Sequence, residues 1–183
     1  MIKYSFLLAL LLPICLTAQV GAPFPFMETE SLTEEELVIP EDLNGKYSII
    51  GLAYSRRAED HLKTWFSPAY NQFMREPAEG DIFATEYDIN LYFVPMVTGH
   101  KTVAYGGVMN EVKATVDADL HPNILFYKGN LRDYKNALGL SNNLPFFFLL
   151  NESGTIVWST SGAFSSQKMQ ELVDHLDEAL GNW

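Results

Sequence analysis

The chain has 183 residues, with 12 basic and 23 acidic side chains and a formal net charge of −11 at pH 7. Hydrophobic residues make up 48% of the chain, which is enough for one packed domain and too much for a disordered protein. The acidic balance excludes nucleic-acid binding, because phosphate recognition depends on clustered Lys and Arg. The single cysteine, Cys15, cannot form an internal disulfide or a cysteine-rich metal site.

Residues 1–18 have the pattern of a secretory signal. Lys3 precedes a short apolar run, and Ala18 is a small residue at a suitable cleavage position. We therefore expect export to a periplasmic or extracellular space, with no membrane insertion after cleavage. Two alternatives are a buried N-terminal helix and a lipid anchor on Cys15, which the bulky Ile14 before the cysteine disfavours.

Two segments are predicted after the signal. Residues 19–45 form an extended N-terminal segment and a hairpin arm, and residues 46–183 form the main domain. The stretch 28–42 carries seven acids and no base, which favours a solvated arm over an acidic interaction tail. The Asn44-Gly45 pair is a turn signal at the end of the arm.

The main domain begins with a predicted strand, helix and strand. Residues 47–54 form a near-continuous apolar run, which is typical of a strand covered on both faces. The helix is predicted from apolar residues that repeat on one face: Leu62, Trp65, Phe66, Ala69 and Phe73. Pro68 predicts a kink or a break in it. Residues 89–95 predict the second strand, and this order implies a parallel pair with a right-handed crossover.

The second half adds helices and a hairpin. One helix is predicted from apolar residues four apart: Val108, Val112, Val116 and Leu120. Residues 131–138 predict a short helix that stops at Gly139. Residues 144–159 predict a hairpin, and Ser165 or Ser166 is expected to cap a last helix. Together these elements predict an α/β fold with a mixed central β-sheet and helices on both of its faces.

Three short motifs, taken with this element order, resemble the thioredoxin-like superfamily, above all its peroxiredoxin and secreted thiol-oxidoreductase branch. They are Gly-Ala-Pro-Phe-Pro-Phe at 21–26, Asp-Leu-Asn-Gly-Lys at 42–46, and Leu144-Pro145 before a hairpin whose turn reads Asn-Glu-Ser-Gly-Thr-Ile-Val. The resemblance covers about residues 21–180 and implies a thioredoxin-like fold.

The redox cysteine of that branch is missing. In that branch the cysteine lies where the first strand meets the first helix. In this chain the same junction reads Tyr54-Ser55-Arg56-Arg57, with no cysteine after it. Dithiol exchange requires a thiolate and a second sulfur, and a serine hydroxyl cannot replace either without an activating base. The resemblance therefore implies the scaffold of a redox protein without its redox activity.

A second family resemblance agrees with the missing redox cysteine. The thioredoxin-like assembly factor family of mitochondrial ATP synthase also lacks the dithiol, and it is similar in an arginine after the first strand and in later motifs. Here these are Arg56 or Arg57, Thr-Trp-Phe-Ser-Pro-Ala-Tyr at 64–70, Leu-Gly-Leu-Ser-Asn at 138–142, the hairpin ending in Trp158, and Gly162-Ala163. The secretory signal and the Leu144-Pro145 pair depart from that pattern. The resemblance implies a cysteine-free assembly or binding protein.

The candidate partner-binding surface is drawn from two parts of the sequence that the superfamily brings together: Tyr54, Ser55, Arg56, Arg57, Leu144 and Pro145. The resemblance implies a cis peptide before Pro145, and the alternative is an ordinary trans proline at a strand start. Arg56 and Arg57 either bind an anion at a helix N-terminus or pair with local acids.

Together these observations predict a secreted, redox-inactive and non-catalytic protein that binds a protein or peptide client in an assembly or chaperone-type role. We expect no cofactor and no metal site, because Asp117, Asp119 and His121 do not share one helical face. The alternative is a cysteine-independent enzyme or anion-binding module that uses Arg56 and Arg57. The sequence leaves the client, the pathway and the oligomeric state open.

Overall fold

The computed structural model describes residues 20–76, 85–98 and 105–181, so the predicted signal with Cys15 lies outside the described residues. The described strands are β1 (Met27–Ser31), β2 (Glu36–Ile39), β3 (Ser48–Ala53), β4 (Asn90–Thr98), β5 (Leu125–Gly129), β6 (Phe146–Leu150) and β7 (Ile156–Ser161). The described helices are α1 (Arg56–Lys63), α2 (Phe66–Phe73), α3 (Tyr105–Thr115), α4 (Arg132–Leu138) and α5 (Ser166–Leu180). Within these ranges no helix is both long enough and apolar enough to span a membrane.

The strands form one seven-stranded mixed sheet in the order β2-β1-β5-β4-β3-β6-β7. β4 pairs in parallel with β3 and with β5, whereas β6 pairs antiparallel with both β3 and β7. Residues of α1, α2, α3 and α5 pack on one side of the sheet, the helix-rich face, and residues of α4 pack on the other. The predicted mixed α/β fold with helices on both faces is confirmed.

β3 is an interior strand between β4 and β6, and all of its residues are buried. Because side chains alternate along a strand, Ile49 contributes to the helix-rich face and Ile50 to the opposite core. Gly51 sits where a Cβ atom would lie 2.6 Å from the ring of Phe147 on β6. A side chain at this position would therefore collide with the core of the helix-rich face.

The helix predicted after β3 is divided into α1 and α2. In a continuous helix the ring of Pro68 would clash with the carbonyl of Thr64, and the break falls there, at Thr64 and Trp65. Pro68 then lies in the first turn of α2, where a missing N–H removes no helical hydrogen bond. The indole of Trp65 is fully buried and donates to the carbonyl of Gly162 at 3.1 Å.

α3 ends earlier than the four-residue pattern predicts. It stops at Thr115, and Leu120 is buried in a separate 3-10 turn over Ala118–Asn123. The carboxylate of Asp117 accepts the N–H of Asp119 at 3.3 Å, so a new turn starts where the helix would have continued. No residue of α3 is fully buried.

The predicted ends of α4 and α5 are confirmed. Gly139 follows α4 in the left-handed conformation, with a φ of 64°. The hydroxyl of Ser165 accepts the N–H of Lys168 at 3.3 Å and caps α5.

The N-terminal arm joins the sheet as the antiparallel pair β1–β2, with β1 also hydrogen-bonded to β5. β2 is an edge strand, and the carboxylate of Asp42 accepts the outward N–H of Val38 at 2.8 Å, which protects this edge from further pairing. The segment before β1 is tied to the β6–β7 turn, since Phe24 donates to the carbonyl of Gly154 at 2.9 Å. The division of the chain after residue 45 stays a prediction.

Candidate functional site

The fold brings the two parts of the candidate surface together. β3 and β6 are antiparallel neighbours, so the residues that follow β3 lie beside those that precede β6. The hydroxyl of Tyr54 accepts the backbone N–H of Asn143 at 3.0 Å, which joins the two segments directly. We call this place the candidate client surface: Tyr54, Ser55, Arg56, Arg57, Leu144 and Pro145.

The side chain of Tyr54 is packed beneath the candidate client surface. Its side chain is only 9% exposed, and the ammonium of Lys135 lies 4.8 Å from the centre of its ring. With the ring packed and the hydroxyl bonded to Asn143, Tyr54 has little area left for a client. It positions the neighbouring segments rather than contacting a partner.

Ser55 occupies the junction where related redox proteins carry a cysteine. Its hydroxyl accepts the N–H of Ala58 at 3.2 Å and caps the N-terminus of α1. Within the part of the chain that the structure describes, no histidine or carboxylate is hydrogen-bonded to this hydroxyl. Ser55 therefore has a structural role in starting the helix and lacks the base that a serine nucleophile needs.

Arg56 and Arg57 are the first two residues of α1, and both side chains are exposed. Considering only the described residues, neither guanidinium forms an ion pair with a carboxylate. The pairing with local acids that the sequence allowed is thus not formed there. Two exposed guanidinium groups at the positive end of a helix make an environment that favours an anionic group.

The peptide between Leu144 and Pro145 is trans, so the expected cis proline is wrong. The chain reverses before it through Asn142 and Asn143, whose φ angles are 58° and 52°. Because these two left-handed residues make the turn, a trans bond is enough to bring Pro145 to the start of β6. Pro145 itself is buried, and its carbonyl accepts the N–H of Gly162 at 2.9 Å, so this residue positions the surface rather than contacting a client.

Sequence reasoning missed three residues around this surface. Asn142 and Asn143 are exposed, and their shared signal is that asparagine tolerates positive φ better than most residues. The third is Thr64, whose hydroxyl accepts the N–H of Phe164 at 2.9 Å and ties the end of α1 to the loop after β7. Thr64 opens the motif at 64–70, but no local pattern predicts this contact, because Phe164 is distant in sequence.

Among the described residues, the groups with a shifted pKa are tyrosines, and none of them belongs to the candidate client surface. Burial, with a hydrogen bond from the Tyr87 hydroxyl to Asp177, raises the pKa of Tyr87 to about 12. Burial likewise raises the pKa of Tyr105 and of Tyr134 above the usual range. In the described residues, no three His, Cys, Asp or Glu side chains are grouped so that they could hold a metal ion.

Solved structures with the same fold define the class of protein. A thiol:disulfide interchange protein from Bacteroides sp. has a TM-score of 0.53 at 12% identity, covering 87% of this chain and 90% of that chain. A putative thiol:disulfide interchange protein DsbE from Chlorobium tepidum has a TM-score of 0.54 at 14% identity, covering 87% and 99%. StoA from Bacillus subtilis has a TM-score of 0.52 at 16% identity, covering 84% and 98%. The chain is a thioredoxin-like α/β protein.

The sequence itself assigns the family. Among curated proteins no sequence matches this chain. The ATP10 protein family, an ATP synthase assembly factor family, matches residues 16–178, and the chain belongs to it. Both resemblances drawn from the sequence, to the thioredoxin-like superfamily and to the ATP synthase assembly factor family, are confirmed.

Proposed function

We propose that the protein is a non-catalytic, thioredoxin-like assembly protein that binds a protein or peptide client at the candidate client surface. One observation carries the proposal. The β3–α1 junction keeps a capped helix and a braced turn beside Pro145, but the hydroxyl of Ser55 is bonded to Ala58 where a thiol would be needed. This arrangement supports a binding role over redox chemistry at the junction.

The family assignment also supports a role in binding a protein client. An assembly factor must recognise another protein, and membership of the ATP10 family favours a protein client over a small substrate. The thiol:disulfide interchange proteins with the same fold are less than 25% identical, and their named chemistry depends on sulfur. Residues 19–183 contain no cysteine, so the same exchange reaction is not proposed for this chain.

The place of action is also part of the proposal. We propose that residues 1–18 direct export and that the protein acts in a periplasmic or extracellular space. Mass determination of the protein isolated from its native host tests this. A mature N-terminus directly after Ala18 supports export, a lipid mass on Cys15 indicates the anchored alternative, and an intact N-terminus contradicts both.

Crosslinking in the native host tests client binding. We compare the natural protein with two variants of the candidate client surface. Arg57→Glu reverses a charge, and Leu144→Asp replaces an apolar side chain with a charged one. Arg75→Glu is the matched control, because Arg75 is an exposed arginine just after α2, remote in sequence from the surface. We expect one protein to be captured by the natural and control chains and lost from both surface variants. Equal capture by all four chains, or reduction of insulin disulfides by the pure protein, would contradict the proposal.

A second candidate function is an anion-binding module or cysteine-independent enzyme that uses Arg56 and Arg57. It is favoured by one observation, the lack of an ion pair at either arginine within the described ranges. A thermal-shift series with phosphate and dicarboxylates tests it. Stabilisation that disappears in Arg57→Ala but not in Arg75→Ala supports this function, and no stabilisation by any anion counts against it.

A further inference from the structure

A groove of about 380 Å³ lies between α1–α2 and α3 on the helix-rich face. Its floor is formed by β4 and by the start of β5, and its walls are formed by the helices. Its apolar lining consists of Leu62, Phe66, Pro95, Val97, Val108, Val112, Ile124 and Phe126. This volume is at the lower end of the range for ligand sites, and the apolar lining suits inserted side chains.

Two apolar side chains on the α3 wall of the groove pack against the core but stay partly exposed. Val108 and Val112 are four residues apart, so they lie on the same side of α3, and both are only partly buried. The apolar stripe of an amphipathic helix normally faces the core of its own domain. The groove therefore leaves an apolar strip of α3 for contact with another chain.

The charges at the rim favour a carboxylate at one end. Arg56 and Lys63 line the α1 wall seven residues apart, hence on one side of the helix, and neither forms an ion pair with any described carboxylate. Glu59 and Asp60 lie between them and Glu111 lies on α3, so the middle of the groove disfavours a second anion. At the Arg56 end the N-terminus of α1 adds its positive potential.

We propose that this groove binds a segment of the client in which an apolar side chain is flanked by Asp or Glu. The apolar side chain enters between α2 and α3, and the carboxylate pairs with Arg56. This inference rests on the proposed function, because Arg56 belongs to both the groove and the candidate client surface and makes the two continuous. It adds the chemistry of the segment that is recognised.

A dye with matching chemistry tests the groove directly. Anilinonaphthalene sulfonate combines apolar rings with an anionic group, and we expect saturable binding to the full-length protein with a rise in fluorescence. Arg56→Ala should weaken binding by about tenfold, whereas Lys113→Ala, which removes an exposed cation of α3 that is not part of the lining, should leave it unchanged. Val112→Glu should abolish binding while the melting temperature shows that the variant is folded. Absence of dye binding, or equal loss in Arg56→Ala and Lys113→Ala, would overturn the proposal.

Photo-crosslinking separates failure of the groove from failure of the proposed function. Benzoylphenylalanine replaces Val112 in one chain, exposed Lys113 outside the groove in a second, and Arg57 in a third, each in the native host. We expect position 112, and not 113, to crosslink to one client segment that contains an apolar residue next to an acid. A client captured at 57 but not at 112 overturns the groove alone. No client at 57 or 112 overturns the proposed function as well.

Discussion

α3 and α5 are two helices on the same face of one sheet, yet they bury very different amounts of side chain. α5 is capped by Ser165 and buries Met169, Leu172 and Leu176. α3 has no fully buried residue. Because hydrophobic stabilisation follows the apolar area removed from water, α5 contributes to the free energy of folding far more than α3 does. The weakly buried α3 beside the groove is therefore the helix to which we assign the proposed recognition of a client.

Each of the two helices is also held by a tyrosine and a carboxylate. The hydroxyl of Tyr87 donates to Asp177 on α5 at 3.0 Å, and the hydroxyl of Tyr105 on α3 donates to Glu30 on β1 at 2.9 Å. The polar links are therefore alike, and the difference between the helices comes from the apolar contacts. This makes the comparison testable by single substitutions.

The largest expected effect is on the α5 core. Leu172 is fully buried, so Leu172→Ala should lower the free energy of unfolding by about 2–5 kcal/mol through lost burial and a cavity. Val112→Ala on α3, at a partly buried position, should cost less than about 1 kcal/mol. Urea denaturation followed by circular dichroism measures both. Similar losses in the two variants would contradict the division into a supporting and a recognition helix.

The helix cap gives an intermediate effect. Ser165→Ala removes the acceptor for the N–H of Lys168 and should cost about 1 kcal/mol of stability. Ser165→Asp keeps a hydrogen-bond acceptor and should retain most of the lost stability. The melting temperatures of the natural protein and the two variants measure the difference. If Ser165→Asp is as unstable as Ser165→Ala, the hydrogen bond to Lys168 is not the source of the effect.

The smallest effect at neutral pH concerns Tyr87, the tyrosine that is hydrogen-bonded to Asp177 of α5. The pKa of Tyr87 is raised from 10.0 to about 12 in the folded protein, so between these values the native state holds a proton that the unfolded state has lost. The contribution of Tyr87 to stability is therefore complete below pH 10 and falls as the pH rises toward 12. Tyr87→Phe should show a flatter decline than the natural protein in chemical denaturation at pH 9 to 11.5. An unchanged slope would mean that Tyr87 does not titrate differently on folding.

Much of the scaffold could be predicted from local pattern. The run 47–54 predicted a central buried strand, and the glycine after α4 and the serine before α5 were expected as helix ends. These signals work because backbone conformation at Gly139 and capping by Ser165 depend on a few neighbouring atoms. The superfamily and the family were also accessible, because their motifs keep their order along the chain.

The geometry of the candidate site was less accessible. The expectation of a cis Pro145 came from resemblance, and it was wrong because Asn142 and Asn143 reverse the chain by themselves. The early end of α3 was missed because the Asp117 side chain competes for a backbone N–H that periodicity does not consider. No sequence pattern predicted the groove, since its walls come from segments that are far apart in sequence.

The sequence by itself determined the class of this protein: an acidic thioredoxin-like chain whose only cysteine is Cys15, with Ser55 at the junction of strand and helix. These properties depend on residue identity and on short-range pattern. Only the tertiary structure decided that Arg56 and Arg57 are without carboxylate partners among the described residues and that Arg56 opens onto a groove beside α3. Ion pairing and grooves depend on which distant side chains the packed sheet brings close together, and a linear pattern does not carry those distances.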